Sequence, residues 1–205
     1  MTYIIIFITA VVSVICFRDR NLADRLSMNP YRIVHGREWY RIITHGFVHA
    51  DYMHLIINML VLWSFGQYIE QLFKSYAHAG TISNPALHLF ILYFGGMIAA
   101  SIYDLVKYCG NPYYSSIGAS GAVSAVVFAS IFFNPWNKIY FFSIIPIPGI
   151  IFGVLYIVYS QYMSKRDAGL INHNAHLFGA LFGFLYPILM NPSFFRIFLE
   201  KIASF

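Results

Sequence analysis

The sequence has few charged residues, which occupy only 10% of its 205 positions. Soluble domains carry about 25% charged residues, whereas hydrophobic residues make up 59% of this chain. A soluble fold of this length could not hide so much apolar surface, because a chain of this size still exposes a large part of its area. The composition therefore argues against a soluble protein and predicts one compact domain, residues 1–205, in a lipid bilayer.

Cysteines and clustered basic residues are also scarce. The chain has only Cys16 and Cys109, too few to define a disulfide framework or a metal site. Its formal net charge is +5, but the 13 basic residues are spread over many short connections. Scattered charge of this kind is typical of residues that flank membrane spans rather than of a nucleic-acid surface. We expect no nucleic-acid partner.

Six apolar stretches without acidic or basic side chains other than histidine follow one another along the chain. Several are shorter than the ~20 residues of a full crossing, so some helices would begin in the interface or cross a thin bilayer. Two prolines, Pro146 and Pro148, precede the fifth helix and indicate an interfacial connector, since proline fits near a helix start. The predicted fold is an all-α membrane protein, a six-transmembrane-helix bundle with a long first loop at 18–52. The predicted spans are roughly 3–17, 53–69, 85–103, 115–133, 149–163 and 175–190.

Three polar residues fall at one depth in this arrangement. His54, Ser120 and His176 lie at the starts of spans two, four and six, directly after loops one, three and five. These loops share one face of a six-span bundle. With a rise of 1.5 Å per residue, each of the three residues lies roughly 5–12 Å below that face. Ionisable residues inside a membrane are candidates for function, so the pattern predicts a water-accessible cavity.

Ser120 and His176 are residue types suited to a nucleophile and its base. A serine hydroxyl needs a base to take its proton, and a neutral histidine can do so near pH 7. Gly121 on span four, and the pair Gly179 and Gly183 on span six, would allow the two helices to pack backbone to backbone. This packing would bring Ser120 Oγ within reach of His176, and the free N–H groups of a helix start could stabilise an oxyanion.

Each of these signals has a simpler structural interpretation when taken alone. A GxSG segment in an apolar helix often serves packing, with the hydroxyl bonded to the preceding turn. A lone His176 would more often form an interhelical hydrogen bond. His54 and Asn58 lie on one helical face, and such a pair more often joins neighbouring helices than binds an oxyanion. The shared depth on three helices favours the catalytic interpretation.

At these positions the sequence resembles the rhomboid family of intramembrane serine proteases. The similarity extends from Asn29 to Gly183, and its motifs follow the family's order on three predicted helices. The matching segments are GREWYRIITH at 36–45 with His49, His54 and Asn58 after it, GASG at 118–121, and AHLFGALFG at 175–183.

The resemblance implies a role for each motif residue. Ser120 would be the nucleophile and His176 its base, in a dyad without a carboxylate. His54, Asn58 and the Ser120 N–H would form the oxyanion hole. The implied activity is that of an intramembrane serine endopeptidase with no metal and no cofactor. The supporting glycines of the motifs would be Gly118, Gly121, Gly179 and Gly183.

The resemblance also implies partners and a location. Family substrates are single-pass transmembrane proteins, cut near their outer end, where the helix unwinds easily and a small residue precedes the bond. The protein would be a multi-pass protein of the plasma (inner) membrane, with both termini cytoplasmic. The distribution of basic residues disagrees with this orientation, because nine lie on loops one, three and five and four lie on the other side. The positive-inside rule would place the richer side in the cytoplasm; we follow the resemblance.

Two positions depart from the family pattern. Tyr40 precedes Arg41 where many relatives carry tryptophan, and Trp39 stands one place earlier. Ser124 lies four residues after the nucleophile, where many relatives carry an aromatic residue stacked on the catalytic imidazole. The imidazole would then be held less rigidly, or by a hydrogen bond instead.

Two other classes of protein remain as alternatives. One is a proteolytically inactive rhomboid-like protein that binds transmembrane clients, which the presence of both Ser120 and His176 disfavours. The other is a membrane metal or haem protein, because the pairs His45/His49 and His173/His176 have suggestive spacing. The sequence contains no HExxH motif, and carboxylates are nearly absent from the predicted spans, so a hydrolytic zinc site is disfavoured.

Overall fold

A computed structural model describes the chain at residues 1–141, 144–166 and 172–204, mostly as helices. A single 3-10 turn spans His45–Phe47, and two short strands are β1 (Lys138–Phe141) and β2 (Ile145–Pro148). The helices are α1 (Thr2–Arg18), α2 (Arg20–Leu26), α3 (Pro30–Gly36), α4 (Arg41–Thr44), α5 (Tyr52–His78), α6 (Pro85–Tyr108), α7 (Ser120–Phe133), α8 (Gly149–Arg166), α9 (His173–Met190) and α10 (Ser193–Ala203).

Each predicted span overlaps one of the longer helices, but few of these helices meet the criteria for a membrane crossing. Within the described part of the chain, α6 alone is both long and apolar enough to cross by itself. Helices α9 and α10 meet the criteria together, with a bend of 116° between them. Three further apolar helices are shorter: α1, α7 and the segment Gly149–Ser164 of α8. The number of crossings therefore stays a prediction.

Three helix boundaries differ by five or more residues from those predicted, and one of them is the end of α6, at Tyr108 rather than at 103. Helix α5 continues to His78, because Glu70 and Lys74 end the apolar run without ending the helix; their side chains pair at 3.3 Å one turn apart. Helix α7 begins at Ser120 rather than at 115. The reason is Gly118, whose φ of 118° is incompatible with a helix.

The connector before α8 is a β-hairpin, which the all-α prediction missed. Strands β1 and β2 pair antiparallel, with Lys138 opposite Pro148 and Tyr140 opposite Pro146. Proline cannot donate to a strand ladder, but a two-stranded ribbon consists of edge strands, where proline is tolerated. The β-branched residues Ile139, Ile145 and Ile147 favour the extended backbone.

Helix α7 forms the centre of the fold. All of its residues from Gly121 to Phe133 are buried, and its most extensive packing is against α9. Glycines make this packing close: a Cβ atom at Gly179 would collide with the Gly121 carbonyl, and one at Gly183 would collide with the Ala125 backbone. The two helices therefore touch backbone to backbone, as small residues at a helix interface allow.

The long first loop is ordered by a buried arginine. Arg41 is only 1% exposed, and its guanidinium donates to the carbonyls of Asp24, at 2.6 Å, and Ser27, at 2.8 Å. It also pairs with Glu38, and this hydrogen bond lowers the pKa of the Glu38 carboxyl. Arg41 thus ties α4 to the end of α2, and Met28, in the same loop, pairs with Ser116 in the segment before α7.

Candidate active site

Ser120 lies at the first residue of α7, at the end of a turn that the first loop holds in place. The turn contains Gly118, in the left-handed region of φ that favours glycine. The Gly118 N–H donates to the His45 carbonyl at 3.0 Å, and the Ala119 N–H points at His49 Nε2 at 3.5 Å. Loop one therefore fixes the backbone from which the Ser120 hydroxyl emerges.

His176 lies in the first turn of α9, which is anchored to α6. Asn172 caps this helix, since its Oδ1 accepts from the Ala175 N–H at 3.0 Å. The amide of Asn172 also donates to Asp104 Oδ2 at 2.6 Å. Asp104 is buried, 2% exposed, and its Oδ1 has no partner among the described residues. The start of the helix that carries His176 is thus tied to a buried carboxyl group.

The chain neighbours of the two candidate catalytic residues lie close together. A Cβ atom at Gly121, next to Ser120, would lie 3.3 Å from the carbonyl oxygen of Ala175, next to His176. No hydrogen bond joins Ser120 to His176 among the described residues, so their role as a catalytic pair stays a prediction. Catalytic hydrogen bonds in substrate-free enzymes are often long and tighten when substrate binds.

His54 lies beside the nucleophile turn. Asp51 caps α5 by accepting from the His54 N–H at 2.8 Å. A Cβ atom at Gly118 would lie 3.0 Å from His54 Nε2, so the imidazole packs directly on the turn that leads to Ser120. The Ala50 N–H points at Nδ1 at 3.5 Å, and the tautomer that accepts this bond carries its proton on Nε2. In that tautomer a donor faces the turn.

Asn58 lies one turn further along α5 and is 6% exposed. Its Nδ2 donates to the His54 carbonyl at 2.9 Å, within the same helix. A carboxamide NH₂ has a second hydrogen to donate. The structure thus describes a local bond for Asn58 and places it on the same helix as His54.

His49 supports this arrangement, and its role was not predicted from the sequence. Its Nδ1 lies 2.9 Å from Ser13 Oγ, which itself donates to the Phe47 carbonyl at 2.8 Å. Its ring packs edge-on against His54, with centroids 4.8 Å apart. Burial lowers the pKa of His49 to about 3, so the ring is neutral and can accept the Ala119 N–H. The signal in the sequence was another histidine four residues after His45.

Tyr156 was also missed, because nothing in the sequence shows which face of α8 meets the site. Its ring lies nearly parallel to the His176 imidazole, with centroids 6.2 Å apart and an interplanar angle of 10°. Its hydroxyl lies 2.8 Å from Ser124 Oγ. Ser124, which occupies the position where many relatives carry an aromatic residue, therefore contacts an aromatic residue on another helix, Tyr156 of α8.

A small cavity borders Ser120, with about 20 Å³ open to the centres of water molecules. A space of this size holds about one water molecule. Its wall includes His45 and Ser101, whose Nε2 and Oγ are 3.2 Å apart, together with Asp104 and Asn172. Across the described ranges, no group of three or more His, Cys, Asp or Glu side chains is placed to hold a metal ion.

Comparison with known proteins identifies the class and then the family. A family model described as the rhomboid domain matches residues 36–193, which indicates an all-helical membrane protein. The chain belongs to the rhomboid family, as its motifs predicted.

Named relatives include three mitochondrial proteins. RHOMBOID-like protein 12 of Arabidopsis thaliana is 30% identical over 148 residues, which are 69% of this chain and 43% of that protein. Rhomboid protein 1 of Saccharomyces cerevisiae is 30% identical over 71% of this chain and 40% of its own length. The human presenilin-associated rhomboid-like protein is 33% identical over 68% of this chain and 35% of its own. The chain thus matches less than half the length of each.

Proposed function

We propose that the protein is an intramembrane serine endopeptidase that cleaves transmembrane helices of membrane-protein substrates. The observation that carries this proposal is the close approach of Gly121 to Ala175, the chain neighbours of Ser120 and His176, at the starts of two closely packed helices. Membership of the rhomboid family supports it, because that family consists mostly of serine intramembrane proteases.

The proposed chemistry gives each of these side chains one role. His176 takes the proton of Ser120 Oγ as that oxygen bonds to the scissile carbonyl carbon, and the carbonyl π electrons move to its oxygen. The Ser120 N–H belongs to a helix start, where N–H groups have no partner within the helix. Together with His54 and Asn58 it would stabilise the oxyanion. Collapse of this intermediate breaks the C–N bond, and His176 gives the proton to the leaving amine; water then hydrolyses the acyl-enzyme by the same steps.

The membrane arrangement is part of the proposal. Six spans would place loops one, three and five, and with them the site, on one face and both termini on the other. Following the family resemblance, we propose that the termini are cytoplasmic. We propose the plasma (inner) membrane and single-pass transmembrane proteins as substrates. The relatives described above carry mitochondrial names, so fractionation of cells that express the protein is the test of its membrane.

Cleavage by purified protein in proteoliposomes tests the activity. A panel of single-pass substrates is incubated with wild type, Ser120→Ala and His176→Ala, each shown to be folded by its thermal melt. We expect products only with the wild type, and no more loss in the double variant than in either single variant, since members of one catalytic unit are not additive.

Other outcomes identify the alternatives. Substantial cleavage by pure Ser120→Ala protein rules out Ser120 as the nucleophile, and inhibition by chelators together with a mild effect of that substitution indicates a metal enzyme. Binding of substrates without cleavage by folded wild type favours the inactive client-binding protein.

A further inference from the structure

We infer that Tyr156 on α8 is a positioning residue for His176, and that Ser124 on α7 holds Tyr156 in place. The inference rests on the proposed function, since it assigns His176 the role of base. Neither residue belongs to the motifs that identified the site.

The first observation is the stack between the two rings. The planes of Tyr156 and His176 differ by only 10°, and their centroids are 6.2 Å apart, within the range of offset-stacked aromatic pairs. The torsion that rotates an imidazole about its Cβ–Cγ bond has broad minima. A flat neighbour restricts that rotation, and so fixes the direction in which each ring nitrogen of His176 points.

The second observation is that Tyr156 is itself held at both ends. Its hydroxyl lies 2.8 Å from Ser124 Oγ. Its ring contacts Phe128 on α7, at 5.5 Å between centroids, and Phe152 one turn earlier on α8, at 6.0 Å. Because both its ring and its hydroxyl are held, Tyr156 can restrict the orientation of the His176 ring that stacks on it.

The third observation is the place of Ser124 on α7. It lies four residues after Ser120, so the two hydroxyls share one face of the helix. Through its hydrogen bond to Tyr156, Ser124 therefore fixes the orientation of the His176 imidazole relative to α7, the helix that carries the nucleophile. Where many relatives have an aromatic residue on that helix, this chain has a serine and receives its aromatic ring from α8.

The alternative is that Tyr156 is an ordinary packing residue. Packing and positioning predict different results: loss of packing lowers stability but leaves the reactivity of each folded molecule unchanged. Loss of positioning lowers the reactivity of folded molecules, because small displacements of a catalytic group cost rate. The measurement must therefore be made per folded molecule.

The experiment compares rates of Ser120 phosphonylation by a small fluorophosphonate in the purified, folded full chain. Such a probe requires the nucleophile and its base but not a transmembrane substrate. The variants are Tyr156→Leu, Tyr156→Phe, Ser124→Ala and the double variant Tyr156→Phe/Ser124→Ala. Tyr159→Leu is the matched control, because Tyr159 lies on the same helix and packs edge-on against His173 at 5.6 Å.

We expect Tyr156→Leu to slow labelling per folded molecule by about tenfold or more. Tyr156→Phe and Ser124→Ala each remove the same hydrogen bond, so each should slow labelling by about threefold and the double variant by no more than the larger single effect. The control should label at the wild-type rate. On a cleavable substrate, kcat should fall while KM is unchanged.

Failure of the inference is distinguishable from failure of the proposed function. Wild-type labelling at Ser120 with an equal rate in folded Tyr156→Leu overturns the positioning role and leaves the proposed function intact. Absence of labelling in folded wild type overturns both. If Tyr156→Leu does not fold, the labelling rate of Tyr156→Phe tests the positioning role instead. Additive effects of Tyr156→Phe and Ser124→Ala would contradict the inference that these residues act through one hydrogen bond.

Discussion

The N–H of Ala119 points at the Nε2 atom of His49 at a distance of 3.5 Å. A histidine of the first loop thus supports the residue directly before the candidate nucleophile. The same imidazole reaches Ser13 on α1 and packs against His54. One neutral ring therefore connects the first helix, the nucleophile turn and the proposed oxyanion donor.

This relationship predicts that stability falls in mild acid. Burial lowers the pKa of His45 to about 4 and that of His49 to about 3. Below about pH 6.5 the unfolded chain binds protons at these positions and the folded protein does not, so the free energy of unfolding decreases as pH falls. The melting temperature should therefore decline as the pH is lowered from 8 to 5. Most carboxyl groups titrate below this range.

The neutral variant His49→Gln separates the contribution of His49 from that of the other histidines. It should have a lower melting temperature at pH 8 and a shallower decline towards pH 5. Replacement of His35, which is exposed, by Gln is the matched control for the exchange of a histidine for glutamine. A wild-type melting temperature that is constant or higher at pH 5 would contradict this account.

A second prediction concerns the oxyanion donors. Loss of one donor typically lowers kcat by about 10²–10³-fold, and here the Ser120 N–H would share the charge. His54→Ala and Asn58→Ala should each lower kcat with a modest change in KM, and less severely than Ser120→Ala. If these residues only join helices, turnover per folded molecule should be near normal while the melting temperature drops. Parallel measurements of kcat and melting temperature distinguish the two.

A third prediction concerns the contact between α7 and α9. A methyl group at Gly183 would collide with the backbone of Ala125, whereas the atoms nearest to one at Gly153 would be side-chain atoms of Ile131 and Phe128, at 3.4 Å or more. Gly183→Ala should therefore destabilise the protein by about 3 kcal/mol, and Gly153→Ala should be neutral or slightly stabilising. Thermal melts of both variants test this, and equal effects would mean that the close approach of the helices is not required.

A fourth prediction concerns orientation. In a chain with Cys16 and Cys109 replaced by alanine, a cysteine at the exposed position of Arg25 in loop one should react with an impermeant thiol reagent in intact cells. A cysteine at the exposed position of Lys74, beyond the predicted second span, should react only after lysis. The opposite pattern would show that the positive-inside count, rather than the family resemblance, gives the orientation.

The starts of α5 and α9 lie within two residues of those predicted, whereas the start of α7 was predicted five residues early, because the apolar run continues through the turn at Gly118. Helix ends were less predictable: charges at Glu70 and Lys74 lie on the continuing helix α5. The hairpin before α8 was missed because prolines indicated a break without showing a paired partner.

The supporting residues could not be predicted because they depend on tertiary packing. Tyr156 is one of several aromatic residues on α8, and only the packing of α8 on α9 selects it. Asp104 follows an apolar run with no sign that it would tie α6 to the start of α9 through Asn172. Motifs therefore indicated the site, while the contacts that hold it required the structure.

The most direct test of the central claim is the site of covalent modification by a fluorophosphonate, mapped by mass spectrometry on the folded full chain. A serine is phosphonylated only when a base activates it, and no substrate needs to be known. We predict one adduct, on Ser120, which is lost in folded His176→Ala protein. An unmodified Ser120 in folded wild type, or an adduct that forms at the same rate without His176, would contradict the assignment of this pair as the catalytic dyad.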